Sequence, residues 1–488
     1  MPVDRAAGLA LELNAAAGPG RYHALDRVRA LAMLLGVVYH AMVLRIFTEG
    51  VFPGAMGRLA PSKLLVDWLH SFRMPLFFLI AGFFARMMLG KYGTREFLRR
   101  RYWRIGLPLL IGMFTFGPIY VLTRELVSRL PSFGPGGPGF RPPGGKMPSW
   151  PPVGDLAGRI FGPYERFIQL NHLWFLWYLL VFVTVAPVLA KGMALVARAL
   201  RVGGGDRLGL GLRLVRLGLA PVLLAAVATP ALLITRPRRG WFLGLAGGIF
   251  RAFPDFLFHY DVDMLFYFAY FLVGWWLHRE QDALPSVARA WPPNLVVGLA
   301  AFGAAFGLEG KYGGGPSSTT DPGIYRPVAF AAYCLGSACT SFAIIGVFLR
   351  HLNSSSRTWR YLADTALWVY LVHQPLVLLG LAACRPFHMP WWAQTAAVSA
   401  AAVASSLLLY EVMVRRTPLA RVFGPSTARE ARGPGVMDRR AEPALYVIVE
   451  GTVALTSGPA RHPMDGEAAA RSILLVDDDV ELGQAMRE

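Results

Sequence analysis

An arginine and a histidine lie eleven residues apart in the first apolar stretch of the chain, RYHALDRVRALAMLLGVVYHAMVLRI. At 100° per residue this spacing is three helical turns plus about 20°, so Arg29 and His40 share one helix face, about 16 Å apart along the axis. An ionisable residue at membrane depth costs about 3 kcal/mol and by default indicates a functional site. His40 is therefore a candidate general base, and the alternative is a histidine that only hydrogen-bonds a neighbouring helix.

Further polar residues occur at the ends of later apolar segments. The apolar context makes each of them costly, and their predicted depths place all of them in the same half of the membrane as His40. Pro375 also removes the hydrogen-bond donor of the Leu371 carbonyl beside them. The sequence therefore predicts a polar chamber in the outer half of the protein. Its candidate residues are Asp67, His70, Arg73, Asn171, His172, His259, Asp261, Asp263, Tyr370, His373 and Gln374.

A different group, Arg29, Arg101 and Arg104, is predicted at the cytoplasmic end. Guanidinium groups match the geometry of phosphate, so these three residues indicate an anion site, although simple positive-inside anchoring is the alternative. A phosphorylated ligand held there with its reactive end at His40 needs a long, thin shape. Acyl-coenzyme A has that shape, with an anionic nucleotide head, a pantetheine arm and a thioester tip.

Composition independently indicates a membrane protein. The chain has 488 residues, of which 55% are hydrophobic and only 16% charged, and its mean hydropathy is +0.43. Soluble proteins carry about 25% charged residues. The net charge of +19 comes from arginines between apolar runs, which is the positive-inside pattern rather than a nucleic-acid site. Cys334, Cys339 and Cys384 lack metal-ligand spacing, so no metal site is expected.

The apolar pattern predicts an all-α, polytopic membrane bundle of about ten transmembrane helices. Basic residues concentrate in the loops after segments two, four, eight and ten, which predicts that both termini are cytoplasmic. Basic residues between 236 and 251 break this pattern on the opposite side. The predicted segments are 27–47, 66–88, 104–123, 172–195, 214–235, 260–278, 292–308, 327–349, 363–383 and 391–414.

The predicted organisation has three parts: a cytoplasmic segment over 1–24, the transmembrane domain over 25–424, and a cytoplasmic linker and tail over 425–488. In the tail, ALYVIVEGTVAL alternates like a short strand pair. RSILLVDDDVELGQAMRE resembles the opening of a response-regulator receiver domain, whose acid pair falls at Asp477 and Asp478. One strand and one helical turn cannot bury a core, so we assign the tail no function.

Five stretches carry a family resemblance, and they occur in the order LDRVRALAMLLGVVYH, DWLHSFRMPLFFLIAGFF, HLWFLWYLL, YLVHQPLVLLG and LLLYEVMVRRTPL. With the Arg29-x10-His40 and Arg101-x-x-Arg104 pairs, they resemble the acyltransferase family 3 membrane proteins, especially members that add succinyl groups to periplasmic glucans. The resemblance implies a multi-pass enzyme of the bacterial inner membrane. It implies transfer of an acyl group from cytoplasmic acyl-coenzyme A to a glycan hydroxyl on the periplasmic side.

In this reading, His40 is the base and no cofactor is permanently bound, since succinyl- or acetyl-coenzyme A is a co-substrate. Arg29, Arg101 and Arg104 hold the phosphates, while His70, Arg73, His172 and His373 line the chamber or the path of the acceptor. The partners are the bilayer, the donor and the glycan. Two alternatives stay open: an O-acetyltransferase acting on lipopolysaccharide, exopolysaccharide or a small molecule, and a proton-coupled transporter.

Overall fold

The computed structural model describes residues 22–48, 61–128, 130, 171–199, 218–235, 264–312, 323–424, 446–449 and 452–455. The chain divides into two compact units, Met1–Pro425 and Ser426–Glu488. In the described part of the first unit, all regular structure is helical. Its α-helices are α1 (His23–Thr48), α2 (Pro61–Arg101), α3 (Leu107–Phe114), α4 (Phe116–Ser128), α5 (Trp174–Ala199), α6 (Ala220–Thr235), α7 (Met264–Arg279), α8 (Leu284–Arg289), α9 (Trp291–Tyr312), α10 (Tyr325–His351), α11 (Arg357–Cys384), α12 (Trp391–Leu409) and α13 (Ala420–Phe423). Shorter turns are π-helical at Tyr102–Gly106 and Tyr410–Val414, and 3₁₀ at Asn171–Leu173, Gln281–Ala283 and Arg385–Phe387.

Seven helical stretches of the described residues are long and apolar enough to cross a membrane. They are His23–Arg45, Pro61–Arg124, Trp174–Gly192, Trp291–Glu309, Tyr325–His351, Arg357–Phe387 and Trp391–Val414. The stretch Pro61–Arg124 has 64 residues. As one straight helix it would be about 96 Å long, three times the thickness of a bilayer core. The prediction of a multi-pass helical membrane protein is confirmed. All ten predicted segments overlap helical stretches, while ten crossings and cytoplasmic termini stay predictions.

The basic segment after the second apolar run is a helix, so the prediction of a loop there was wrong. Helix α2 continues to Arg101, and the only non-helical dihedral angles inside it are at Gly93, with φ 71° and ψ 170°. Glu96 stabilises this extension because its carboxylate accepts hydrogen bonds from Arg99 at 2.7 Å and Arg100 at 2.6 Å. Such pairs three and four residues apart stabilise a helix surface. The glycine supplies the left-handed conformation at which the helix direction changes.

Two close helix contacts position the site. Helix α1 packs against α11 and α2, and α2 packs along α7. On α2, a Cβ at Gly82 would lie 1.9 Å from the carbonyl oxygen of Phe271, and on α7 a Cβ at Gly274 would lie 1.7 Å from that of Leu79. The two backbones therefore touch, as is common where small residues line membrane helix interfaces. Any side chain at either glycine would push α2 away from α7.

A proline in α2 creates a polar link below the site. Pro75 has no N–H, so the carbonyl of Ser71 loses its helical donor. The Ser337 hydroxyl of α10 donates to that carbonyl at 2.6 Å and accepts from the Tyr270 hydroxyl of α7 at 2.7 Å. Three helices are thus joined by a fully paired hydrogen-bond chain at the point where α2 carries its histidine and arginine.

The second unit contains a short hairpin, strands β1 (Tyr446–Val449) and β2 (Thr452–Leu455). The strands are antiparallel, with Tyr446 opposite Leu455 and Val449 opposite Thr452. This is the predicted strand pair. The linker before it and the receiver-like segment after it lie outside the described residues.

Candidate active site

The imidazoles of His40 on α1 and His373 on α11 are in direct contact. Nδ1 of His40 lies 2.8 Å from Nε2 of His373, and the two ring centroids are 4.9 Å apart. The other nitrogen of His373, Nδ1, lies 2.7 Å from the carbonyl oxygen of Tyr370 and 3.1 Å from that of Val369. Since carbonyl oxygens only accept hydrogen bonds, Nδ1 of His373 carries a hydrogen.

This contact determines the tautomer of His40 when both rings are neutral. Nε2 of His373 then has a lone pair and no hydrogen, so the Nδ1–H of His40 donates to it. Nε2 of His40 is consequently the unprotonated nitrogen. His373 is 2% exposed and its ring is held at both nitrogens, whereas His40 is only partly buried. The pair therefore presents one basic nitrogen, Nε2 of His40, to a ligand.

His172 completes a group of three imidazoles. It lies in the 3₁₀ turn before α5, and its ring centroid is 5.4 Å from that of His373 and 6.5 Å from that of His40. The Tyr370 hydroxyl donates to the backbone carbonyl of His172, which ties this turn to α11. Histidines from three separate segments therefore meet, as the predicted depths required.

The carbonyl that Pro375 was predicted to free is part of this group. The ring of His172 lies beside the Leu371 carbonyl and the Gln374 amide, but neither of its nitrogens completes a hydrogen bond. The Gln374 side-chain oxygen is also buried without a hydrogen-bond partner. Buried polar atoms are paired in the great majority of cases, so these atoms, which lie near possible partners without completing a hydrogen bond, are candidates for contact with a polar ligand.

Tyr39 organises the remaining chamber residues, although it is not among the residues that the sequence predicted. Its ring stacks on that of His70, with centroids 5.3 Å apart and planes at 25°, and the Arg73 guanidinium lies over it at 4.6 Å. His70 is 5% and Arg73 7% exposed. Gly36 makes room for the arginine, because a Cβ there would lie 2.6 Å from Nη1 of Arg73. The available sequence signal was a tyrosine next to His40 with a glycine one turn earlier.

Asp67 is ion-paired with Lys63, and it lies close enough to the chamber to act electrostatically on Tyr39. Its carboxylate pairs with the Lys63 ammonium at 2.5 Å, and that ammonium lies 5.5 Å from the centre of the Phe306 ring on α9. Asp67 is six residues before Arg73 on α2, which places the two side chains about 120° apart around the helix. His259, Asp261, Asp263 and the side chain of Asn171 lie outside the described residues.

The three arginines predicted at the cytoplasmic end converge from separate elements. Arg29 is on α1, Arg101 is the last residue of α2, and Arg104 is in the π-helical turn that follows. Arg101 experiences electrostatic repulsion from both of the others. Its Nε and Nη2 atoms are buried without a hydrogen-bond partner. A cluster of like charges with unpaired donors is a suitable site for an anion, and π-helical turns are frequent at functional sites.

The hydrogen bonds from Arg29 and Arg104 to backbone carbonyls are long. Arg29 donates to the Ala363 carbonyl at 3.4 Å and lies 3.4 Å from the carboxylate of Asp26, which is not among the predicted site residues. Arg104 donates to the Gly424 carbonyl, also at 3.4 Å. Well-formed hydrogen bonds from a cation to an oxygen are about 2.7–2.9 Å long. These carbonyl hydrogen bonds are therefore weak.

Arg29 and His40 point to the same neighbouring helix. Arg29 contacts Ala363 and His40 contacts His373, and both partners are on α11. The predicted common face of α1 is therefore present, and it faces α11. One helix interface connects the arginine cluster to the imidazole group, with about 16 Å between its ends.

Comparison with known proteins defines the class. Residues 22–411 match the acyltransferase domain model Acyl_transf_3, so the chain belongs to the acyltransferase 3 family and is a membrane-bound O-acyltransferase. It is similar to glucans biosynthesis protein C of Escherichia coli O139:H28 (strain E24377A / ETEC), with 25% identity over 425 residues, 84% of this chain and 96% of the relative. The corresponding protein of strain HS (O9:H4) is 26% identical over 420 residues, with the same coverage. No solved structure matches the chain.

Proposed function

We propose that this enzyme transfers a short acyl group, succinyl in preference to acetyl, from cytoplasmic acyl-coenzyme A to a hydroxyl group of a periplasmic glucan across the bacterial inner membrane. The observation that carries the proposal is the α1–α11 interface. It has an arginine cluster with unpaired Arg101 nitrogens at one end and the basic nitrogen of His40 at the other. The names of the relatives, which refer to glucan biosynthesis, support a glucan as the acceptor.

The arginine cluster binds the donor in this proposal. Phosphate groups of coenzyme A accept hydrogen bonds from the unpaired donors of Arg101 and replace the long contacts of Arg29 and Arg104. Each charge-assisted contact contributes about 1.5–3 kcal/mol. The pantetheine arm then lies along α1, and the thioester reaches His40.

The chemical step is a proton-coupled acyl transfer. The acceptor hydroxyl attacks the thioester carbonyl carbon while Nε2 of His40 removes the hydroxyl proton. The tetrahedral intermediate collapses, the carbon–sulfur bond breaks, and the thiolate leaves with the proton that His40 returns. The products are an ester of the glucan and free coenzyme A, and His40 is neutral again.

His373 acts as a positioning residue in this step. By accepting the Nδ1–H of His40, it keeps the reactive lone pair on Nε2 and turns that atom toward the chamber. When His40 gains the proton, the same hydrogen bond becomes charge-assisted and stronger. The unpaired atoms of His172 and Gln374 lie next to this pair and are suited to bind the sugar hydroxyls.

Inverted membrane vesicles loaded with linear β-glucan test the proposal. We expect labelled succinyl-coenzyme A, added on the exposed cytoplasmic face, to yield labelled glucan inside the vesicles. The His40→Gln variant in matched vesicles controls for chemical and background acylation. A proton-coupled transporter would leave the enclosed glucan unlabelled, and labelling of the glucan only when it is supplied on the cytoplasmic face would contradict the proposed direction.

A further inference from the structure

Arg73 is a buried cation that the proposed step does not use. It is 7% exposed, it lies in a predicted transmembrane segment, and its Nε is buried without a hydrogen-bond partner. Within the described part of the chain, it forms no ion pair. A charge buried in this way is costly unless it is paired. A bound anionic ligand would supply the missing partner.

The protein groups around Arg73 are not anions. Its electrostatic neighbours are Tyr39, Tyr267 and Tyr370, and the Tyr39 ring lies under the guanidinium at 4.6 Å. Asp67, the buried acid on the same helix, is already paired with Lys63 at 2.5 Å. Stacking on an aromatic face orients a guanidinium and leaves its edge donors free for a planar anion.

The position of Arg73 places those donors beside the reacting group. Nη1 of Arg73 is packed on Gly36, four residues before His40 and therefore about 6 Å lower along α1. Helical side chains point back toward the preceding turn, so the imidazole of His40 extends over the same level. The guanidinium and the imidazole thus both border the space that the acyl group of a donor would occupy.

We propose that Arg73 recognises the free carboxylate of a dicarboxylic acyl group, so that the chamber selects succinyl over neutral acyl groups of the same length. This inference rests on the proposed function, because it assigns the far end of the transferred group. Two methylene groups separate the thioester carbonyl of a succinyl group from its carboxylate. A guanidinium matches a carboxylate with two parallel hydrogen bonds, which a neutral acyl end cannot form.

The test compares succinyl-coenzyme A with butyryl-coenzyme A, its neutral four-carbon counterpart. Full-length protein in lipid nanodiscs is supplied with glucan, and kcat/KM is measured for each donor by thiol release and by ester formation. We expect the wild-type protein to prefer succinyl by about ten- to a hundredfold, the contribution of a hydrogen-bonded charge pair. Arg73→Gln should reduce that ratio to near one, and Arg73→Lys should keep part of it.

Arg45→Gln is the matched control. It removes the same kind of side chain from α1, but Arg45 is hydrogen-bonded to Gln394 on α12 at 2.7 Å. We expect its succinyl-to-butyryl ratio to equal that of the wild type. A change of the ratio in this control as large as that in Arg73→Gln would show a general effect of charge and overturn the specific role.

The other outcomes separate this inference from the proposed function. A wild-type protein that transfers both donors equally well overturns the carboxylate site, even if Arg73→Gln does not fold. An equal loss on both donors in a folded Arg73→Gln protein assigns Arg73 to the thioester oxyanion instead, and also overturns it. If the wild type transfers neither acyl group, the proposed function itself fails.

Discussion

The two ends of the α1–α11 interface hold their polar side chains in opposite ways. At the imidazole end, His373 is bonded at both nitrogens by contacts of 2.7–3.1 Å. At the arginine end, the hydrogen bonds of Arg29 and Arg104 to backbone carbonyls are 3.4 Å long, and Arg101 has two unpaired nitrogens. A general base must keep one tautomer and one orientation before the substrate arrives. A phosphate site instead gains its order from the ligand that neutralises it.

The largest effect is expected from a substitution that disables only the imidazole end. His40→Gln retains a hydrogen-bonding side chain but cannot accept the proton, so turnover should fall by about 10² to 10⁴, the usual contribution of a general base. Binding of coenzyme A, measured by calorimetry, should persist because the phosphates lie about 16 Å away along the helix. A His40→Gln protein with normal turnover would show that His40 only braces the bundle.

The next largest effect is expected from a substitution that disables only the arginine end. Arg101→Ala should weaken coenzyme A binding by about ten- to a hundredfold, since it removes charge-assisted contacts worth about 1.5–3 kcal/mol. Turnover at saturating donor should change much less than in His40→Gln. The matched control is Arg100→Ala, because Arg100 already donates to Glu96 at 2.6 Å. Equal losses of affinity in both variants would show that the cluster does not bind phosphate specifically and only follows the positive-inside pattern.

Substitutions of His373 should have a smaller effect, and they test how the imidazole pair works. His373→Leu removes the acceptor for the Nδ1–H of His40 and should lower kcat by about tenfold, the value of one or two hydrogen bonds. His373→Gln retains an acceptor oxygen, so it should recover part of kcat while KM for the donor stays constant in both variants. If leucine and glutamine lower kcat equally, His373 contributes packing rather than the tautomer of His40.

The smallest effect concerns the second unit. Every residue assigned to the two ends of the interface precedes Pro425 in the sequence, so we expect removal of residues 426–488 to leave membrane insertion and kcat unchanged within about twofold. Alkaline carbonate extraction of membranes and the vesicle assay measure the two properties separately. Normal insertion with lost transfer would show that the tail contributes to the reaction.

Several features follow from the sequence because they depend on local physics. Long apolar runs enter a bilayer as helices since every backbone hydrogen bond must be satisfied within the segment. The same reasoning places Arg29 and His40 on one face of α1, because a helix has a constant rotation per residue. The motifs in the ten predicted segments were sufficient to indicate the family. The loss of the Leu371 donor at Pro375 is likewise a property of the chain itself.

Tertiary structure decided what those side chains contact. The tautomer of His40 depends on a nitrogen of His373, 333 residues away, and no local pattern records which helices become neighbours. The partner of Asp67 proved to be Lys63, which leaves Arg73 stacked on Tyr39. These outcomes depend on how each helix is rotated and packed against the others. That rotation is set by many side-chain contacts together. The identity of each residue and its position along an apolar segment are set by the sequence alone.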